Sequence, residues 1–234
     1  MNSLKHLLVL GAITTAAAKR HHASANGDSN WCGAVEKTAV TYVEGTWKVP
    51  SASLPPNGDS SLFYGNSQWV GIDGYGSDCG LFQAGTSSYI DNGQVSYHSW
   101  MEWFPNDNID LDVEVSPGDE IYVAIQATSS TAGTVYLENK TTGRSTNQKL
   151  TSTPKRAPLC FEAVEWIQED NGVPQNPYPQ VDTFSMTGYA KDSNGNVVQL
   201  NDNAIQLNGT RNGVLQCVPS ISGHTVTFQY EGSG

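Results

Sequence analysis

Apolar and polar positions alternate along most of the chain in short runs, and clusters of glycine, serine, asparagine and proline separate the runs. A period of two marks a strand with one buried face, and clusters of turn formers are where such strands reverse. Residues 40–49 show the texture: Val40-Thr41-Tyr42-Val43-Glu44-Gly45-Thr46-Trp47-Lys48-Val49 alternates and stops at Pro50. The same pattern predicts strands over 67–72, 81–84, 95–104, 111–115, 120–127, 133–138, 144–150, 160–170, 184–190, 197–200 and 225–230. After the first eighteen residues no window carries a helical period with caps. The expectation is therefore an all-β domain, a two-sheet antiparallel β-sandwich of the concanavalin-like, jelly-roll kind.

One predicted strand is unusual. Residues 160–170, Cys160-Phe161-Glu162-Ala163-Val164-Glu165-Trp166-Ile167-Gln168-Glu169-Asp170, put acids where a buried strand wants apolar groups. Alternation sets Glu165, Ile167 and Glu169 on one face, with Val164, Trp166 and Gln168 on the other. An ionised carboxylate on a sheet's inner face is costly unless paired or wet, so the acidic face either looks outward or lines a polar cleft.

Three other segments carry polar or aromatic groups at strand spacing. Trp69, Gly71 and Asp73 share a face, as do Trp100 and Glu102, and Gln83 stands in the apolar run Leu81-Phe82-Gln83-Ala84 between glycines. Each has a structural counterpart: the tryptophans as core packing, Gln83 as a netted amide, Asp73 as a cap on turn amides, and His98 as a surface residue.

Length and charge narrow the classes. The chain has 234 residues, which suits one large all-β domain, and a formal net charge of −11. Nucleic acid and anionic membranes are poor partners for such a surface, and the carboxylates favour an acidic working environment. Residues 1–18 hold Lys5, an apolar run and three alanines, and are expected to be a signal peptide rather than a membrane span. Lys19-Arg20 reads as a dibasic processing site within a short pro-segment or disordered N-terminus at 19–30, and 31–234 as the single sandwich domain. The expected product is secreted, extracellular and monomeric, with Cys32, Cys79, Cys160 and Cys217 oxidised and glycosylation sequons at Asn139 and Asn208.

Those expectations restrict the chemistry. Oxidised cysteines cannot be thiolate nucleophiles, no serine lies in a nucleophile elbow, and no histidine pair stands at ligand spacing for a metal. Carboxylate chemistry remains. Together, Trp69-Val70-Gly71-Ile72-Asp73-Gly74, Leu81-Phe82-Gln83-Ala84-Gly85, Trp100-Met101-Glu102-Trp103-Phe104-Pro105 and Glu165-Trp166-Ile167-Gln168-Glu169-Asp170 resemble, in order and spacing, the fungal glutamic peptidases, the eqolisins. Asn30-Trp31-Cys32-Gly33 and Gly45-Thr46-Trp47-Lys48-Val49-Pro50-Ser51 extend the match.

The resemblance implies a pepstatin-insensitive acid endopeptidase acting on polypeptides with no cofactor. It implies Gln83 and Glu169 as the catalytic pair, with Trp69, Asp73, Trp100, Glu102 and Glu165 around the substrate. It also implies a Cys79–Cys160 disulfide, which leaves Cys32 for Cys217 by elimination. This chain departs from the family pattern at His98, where an aspartate is usual, at Ala84, where threonine is usual, and after Asp170. Two other readings compete: a jelly-roll glycoside hydrolase with Glu102 and Glu169 as its carboxyl pair, and a non-catalytic sugar- or peptide-binding sandwich that uses the tryptophans as platforms.

Overall fold

A computed structural model of the chain describes residues 28–76, 78–152 and 157–232. The expected leader, its dibasic site and most of the short segment after it lie outside the described residues. The strands are β1 (Trp31–Glu36), β2 (Tyr42–Lys48), β3 (Ala52–Ser53), β4 (Tyr64–Ile72), β5 (Leu81–Asp91), β6 (Gln94–Phe104), β7 (Ile109–Asp110), β8 (Glu120–Ser129), β9 (Ala132–Asn139) and β10 (Arg144–Thr151). They continue with β11 (Val164–Asp170), β12 (Gln180–Val181), β13 (Phe184–Lys191), β14 (Val197–Gln199), β15 (Ile205–Leu207), β16 (Gly209–Arg211), β17 (Val214–Ser222) and β18 (Thr225–Tyr230). Among the described residues there is no helix.

The strands form two large antiparallel sheets. One has seven strands in the order β15-β1-β11-β4-β5-β6-β7, and the other runs β10-β9-β8-β2-β13-β18-β17-β16, with β14 beside β13. A small pair, β12-β3, stands apart from both. Period two explains the core between the large sheets. Val70, Ile72, Phe82, Ala84, Trp103, Val164 and Trp166 meet Val43, Trp47, Ile121, Val123, Val135, Met186 and Phe228 in one buried cluster. The indole N–H groups inside it have partners: Trp166 donates to Glu44 O at 3.0 Å and Trp47 to Thr86 Oγ1 at 3.1 Å. Gly45 faces this layer because there is no room for more, since a Cβ there would lie 2.7 Å from Val70 Cγ1.

The pattern misjudged some elements. β1 is buried along nearly its whole length, so it carries no alternation to read. β17 contains Pro219 and Cys217 and shows no clean period of its own. Residues 111–115 are not a strand: Leu111 N–H donates to Ser99 O, but the edge strand beside β6 is the two-residue β7 just before them. The expected strand over 160–170 starts only at Val164. The four residues before it wrap around a carboxylate, and Phe161 has a φ of 58° there.

The four cysteines form two disulfides, Cys32–Cys217 and Cys79–Cys160. The first joins the two sheets, linking β1 to β17. The second ties the turn before β5 to the segment leading into β11.

Candidate active site

The outer face of the seven-stranded sheet, turned away from the core, collects the polar and aromatic residues singled out above. Cross-strand register arranges them in three rows. The first row runs Val35, Glu165, Gly71, Gln83, Glu102 across β1, β11, β4, β5 and β6. The second runs Gly33, Ile167, Trp69, Gly85, Trp100 and reaches Asp110 on β7. The third runs Trp31, Glu169, Ser67, Ser87, His98. Acid, amide and indole groups from six strands therefore share one face.

Two glycines let bulky groups lie flat on it. At Gly71 a Cβ would sit 2.8 Å from Trp69 Cζ3, so the indole of Trp69 rests on that backbone. At Gly85 a Cβ would sit 2.7 Å from Trp69 Cβ. Thus seated, Trp69 points its Nε1–H at Glu169 Oε2, 3.0 Å away, and packs edge-on against Trp31 with centroids 4.8 Å apart. The other oxygen of Glu169 accepts from Asn30 Nδ2 at 2.8 Å. Each carboxylate oxygen thus has a fixed N–H donor, the arrangement that favours the ionised form.

Gln83 is fully buried and donates from Nε2 to Glu102 Oε2 at 2.9 Å. Its Oε1 has no hydrogen-bond partner among the described residues. The orientation follows from chemistry, because the Glu102 oxygen accepts and the amide nitrogen must face it. One N–H is used there and a second remains.

Glu165 is different. It is fully buried, and neither of its oxygens has a hydrogen-bond partner among the described residues. Burial pushes its carboxyl well above the usual range and the charge of Asp73 adds to the effect. Glu165 therefore holds its proton where an ordinary glutamate has lost it.

Asp73 is spent on the backbone. Its Oδ2 accepts from Cys160 and Phe161 N–H, both at 2.8 Å, and its Oδ1 from Glu162 at 2.7 Å and Ala163 at 3.2 Å. Its own N–H donates to Ala163 O at 3.0 Å. Four amides converging on one carboxylate bend the chain into β11, which explains why the strand begins so late. The capping role weighed from the sequence describes this geometry, although the amides capped are distant in the chain rather than those of its own turn. His98 touches Ser96 Oγ through Nε2 at 3.1 Å and packs near the Tyr89 ring. Trp100 is buried on the same face.

Asn30 lay within a quoted motif, yet its contact with Glu169 was not foreseen. Only the pairing of β1 with β11 brings it there.

Residues 29–230 match the model of the Peptidase A4 family. The chain belongs to this family of glutamic peptidases. This A4 peptidase is 33% identical over 220 residues to Aspergillopepsin-2 of Aspergillus niger, covering 86% of this chain and 77% of that relative. It is 34% identical over 217 residues to Scytalidopepsin B of Scytalidium lignicola, covering 87% and 78%. Among solved structures it resembles scytalido-glutamic peptidase bound to a peptide-based transition-state analogue, with a TM-score of 0.73 and 30% identity over 86% of this chain and 98% of the other. Aspergilloglutamic peptidase from Aspergillus niger gives a TM-score of 0.63 with 32% identity, covering 71% and 99%. The A4 peptidase thus shares its sandwich with enzymes, which leaves the glycosidase and binding-module readings without support.

Proposed function

We propose that this A4 peptidase is a secreted acid endopeptidase that hydrolyses polypeptides by direct attack of water, with Glu169 as base and then acid and Gln83 as the amide that stabilises the developing oxyanion. The reading is supported most by the contrast between the two glutamates of β11. Glu169 is as buried as Glu165 but has an N–H donor on each oxygen, which favours its charged form and makes it the better base of the two. Glu165 lies in Gln83's own row, but burial keeps it protonated, and a protonated carboxyl cannot act as base.

Reach supports the pair as well. Gln83 and Glu169 are two strands and four residues apart by register. With strands about 4.8 Å apart and a rise of about 3.4 Å per residue, their Cα atoms would be roughly 16 Å apart on a flat sheet. Both side chains stand on the same outer face of the sheet, so a substrate peptide bond and its attacking water can lie between them.

The steps balance without a covalent intermediate. Glu169 takes a proton from water as its oxygen bonds to the scissile carbonyl carbon. The second N–H of Gln83 meets the tetrahedral oxygen, and Gln83 Oε1 orients the attacking water. Glu169 then gives its proton to the leaving nitrogen as the C–N bond breaks. Glu102 acts from behind by holding the Gln83 amide in place.

The test is proteolysis of denatured casein at acid pH with pepstatin present. Gln83→Ala and Glu169→Gln are expected to lose activity with an unchanged circular dichroism spectrum, while Glu165→Gln keeps turnover. Normal turnover by Glu169→Gln, or silence of Glu165→Gln alone, would overturn the assignment of the base.

A further inference from the structure

Asn30 precedes β1 and is held there by bonds that leave it little freedom. Its backbone carbonyl accepts the Asp170 N–H at 2.8 Å, while its side-chain Nδ2 reaches Glu169 Oε1 at the same distance. Ser29 beside it bonds twice to Thr210: Ser29 N–H to Thr210 Oγ1 and Thr210 N–H to Ser29 O, both 2.9 Å. The Tyr178 hydroxyl also donates to Ser29 O. Asp28 accepts the Asn212 and Gly213 N–H groups at 2.8 and 2.9 Å. Two residues on, Cys32 is bonded to Cys217. Arg211 closes the arrangement by pairing with Asp170, bonding Pro174 O at 3.0 Å and lying over the Tyr178 ring.

Residues 28–32 are thus clipped to the β16–β17 hairpin from one side and present one amide to Glu169 on the other. A surface asparagine with no task would not need so much support. We propose that Asn30 is a positioning residue for the peptidase reaction: with the Trp69 indole, its amide holds the Glu169 carboxylate ionised and in one rotamer, and so sets the acid limb of the pH–rate profile. This rests on Glu169 as the base.

Among the described residues, the titratable and charged groups around Glu169 include Glu165 and Asp170 on its own strand, Tyr89 from β5, His98 and Glu102 from β6, and Asp110 from β7. Asp28 and Tyr178 approach from the clipped side and Arg211 from β16. A change at Asn30 leaves all of them in place, so a moved limb reports the lost donor.

The experiment compares pH profiles of kcat and KM, on one peptide substrate, for the full-length wild type, Asn30→Ala and Asn30→Asp. Loss of one N–H donor to a carboxylate should raise the acid limb by about one pH unit. On the acid limb kcat should fall by up to about ten-fold and at the wild-type optimum by much less, with KM and Tm nearly unchanged. Asn30→Asp, the same shape with a second acid in place of the donor, should raise the limb further and carries the test if Asn30→Ala does not fold. An acid limb that stays put, with activity lost equally at every pH, would make Asn30 structural only and sink the proposal. Glu169→Gln separates the two levels: if it keeps turnover the base is misassigned, whereas if it is silent and Asn30→Ala keeps the wild-type limb, only the role of Asn30 fails.

Discussion

Glu165→Gln should make this protein more tolerant of neutral pH. The folded state carries a buried carboxyl with no hydrogen-bond partner among the described residues, held protonated by burial and by the neighbouring charge of Asp73. Unfolded, the same group titrates at its ordinary value of 4.5. Because the folded value is the higher one, the contribution of Glu165 to stability is complete below pH 4.5 and is lost as pH rises toward the folded value. Across that window the unfolded chain binds one proton fewer, so stability falls by about 1.4 kcal/mol per pH unit. Glutamine keeps the shape and never ionises, so the variant should lack this slope. Urea unfolding at half-unit steps from pH 4 to 7 measures it directly, with the difference between wild type and variant growing above pH 4.5 by at most about 1.4 kcal/mol per unit until the folded value is reached. Parallel curves for the two proteins would refute the protonated, uncompensated state of Glu165.

Three further outcomes are expected. Asp73→Asn turns an NH₂ toward amides that now bond a carboxylate, so it should cost about 3 kcal/mol or more in urea unfolding at acid pH, and loss below 1 kcal/mol would contradict the four-amide geometry. Of the two sequons, Asn208 is exposed, whereas Asn139 is buried with Nδ2 bonded to Glu114 O and Asp119 Oδ2; glycopeptide mass spectrometry of the protein expressed through a eukaryotic secretory pathway should find sugar at Asn208 and none at Asn139. Replacing Cys79 and Cys160 together by alanine opens a loop whose ends are 81 residues apart and should cost about 4 to 5 kcal/mol by the chain-entropy relation, read as a lower urea midpoint, with an unchanged midpoint counting against that constraint.

Much of this protein is legible in its sequence because a strand with one buried face must alternate. Trp69, Gly71, Trp100, Glu102, Glu165 and Glu169 could be sorted onto faces from their spacing, and the sorted faces are those of the sheet. Order and spacing of the motifs also sufficed to point to the family, since long strings at set separations are rarely matched by chance. Alternation is a local property, however, and it fails where burial is two-sided. For that reason the period does not reveal β1, and the motif Asn30-Trp31-Cys32-Gly33 could be matched to the family but not placed beside Glu169.

Tertiary structure alone decided which groups are partners. Register between strands far apart in the chain sets Glu165 in the row of Gln83 and Glu169 two steps away, and no periodicity within either strand contains that offset. The two glutamates of β11 are four residues apart on one face, chemically identical as letters. One meets the Trp69 indole of β4 and the Asn30 amide just before β1, while the other meets a buried carboxylate and keeps its proton. Proton affinity depends on what surrounds a group, and those surroundings exist only once distant segments have packed.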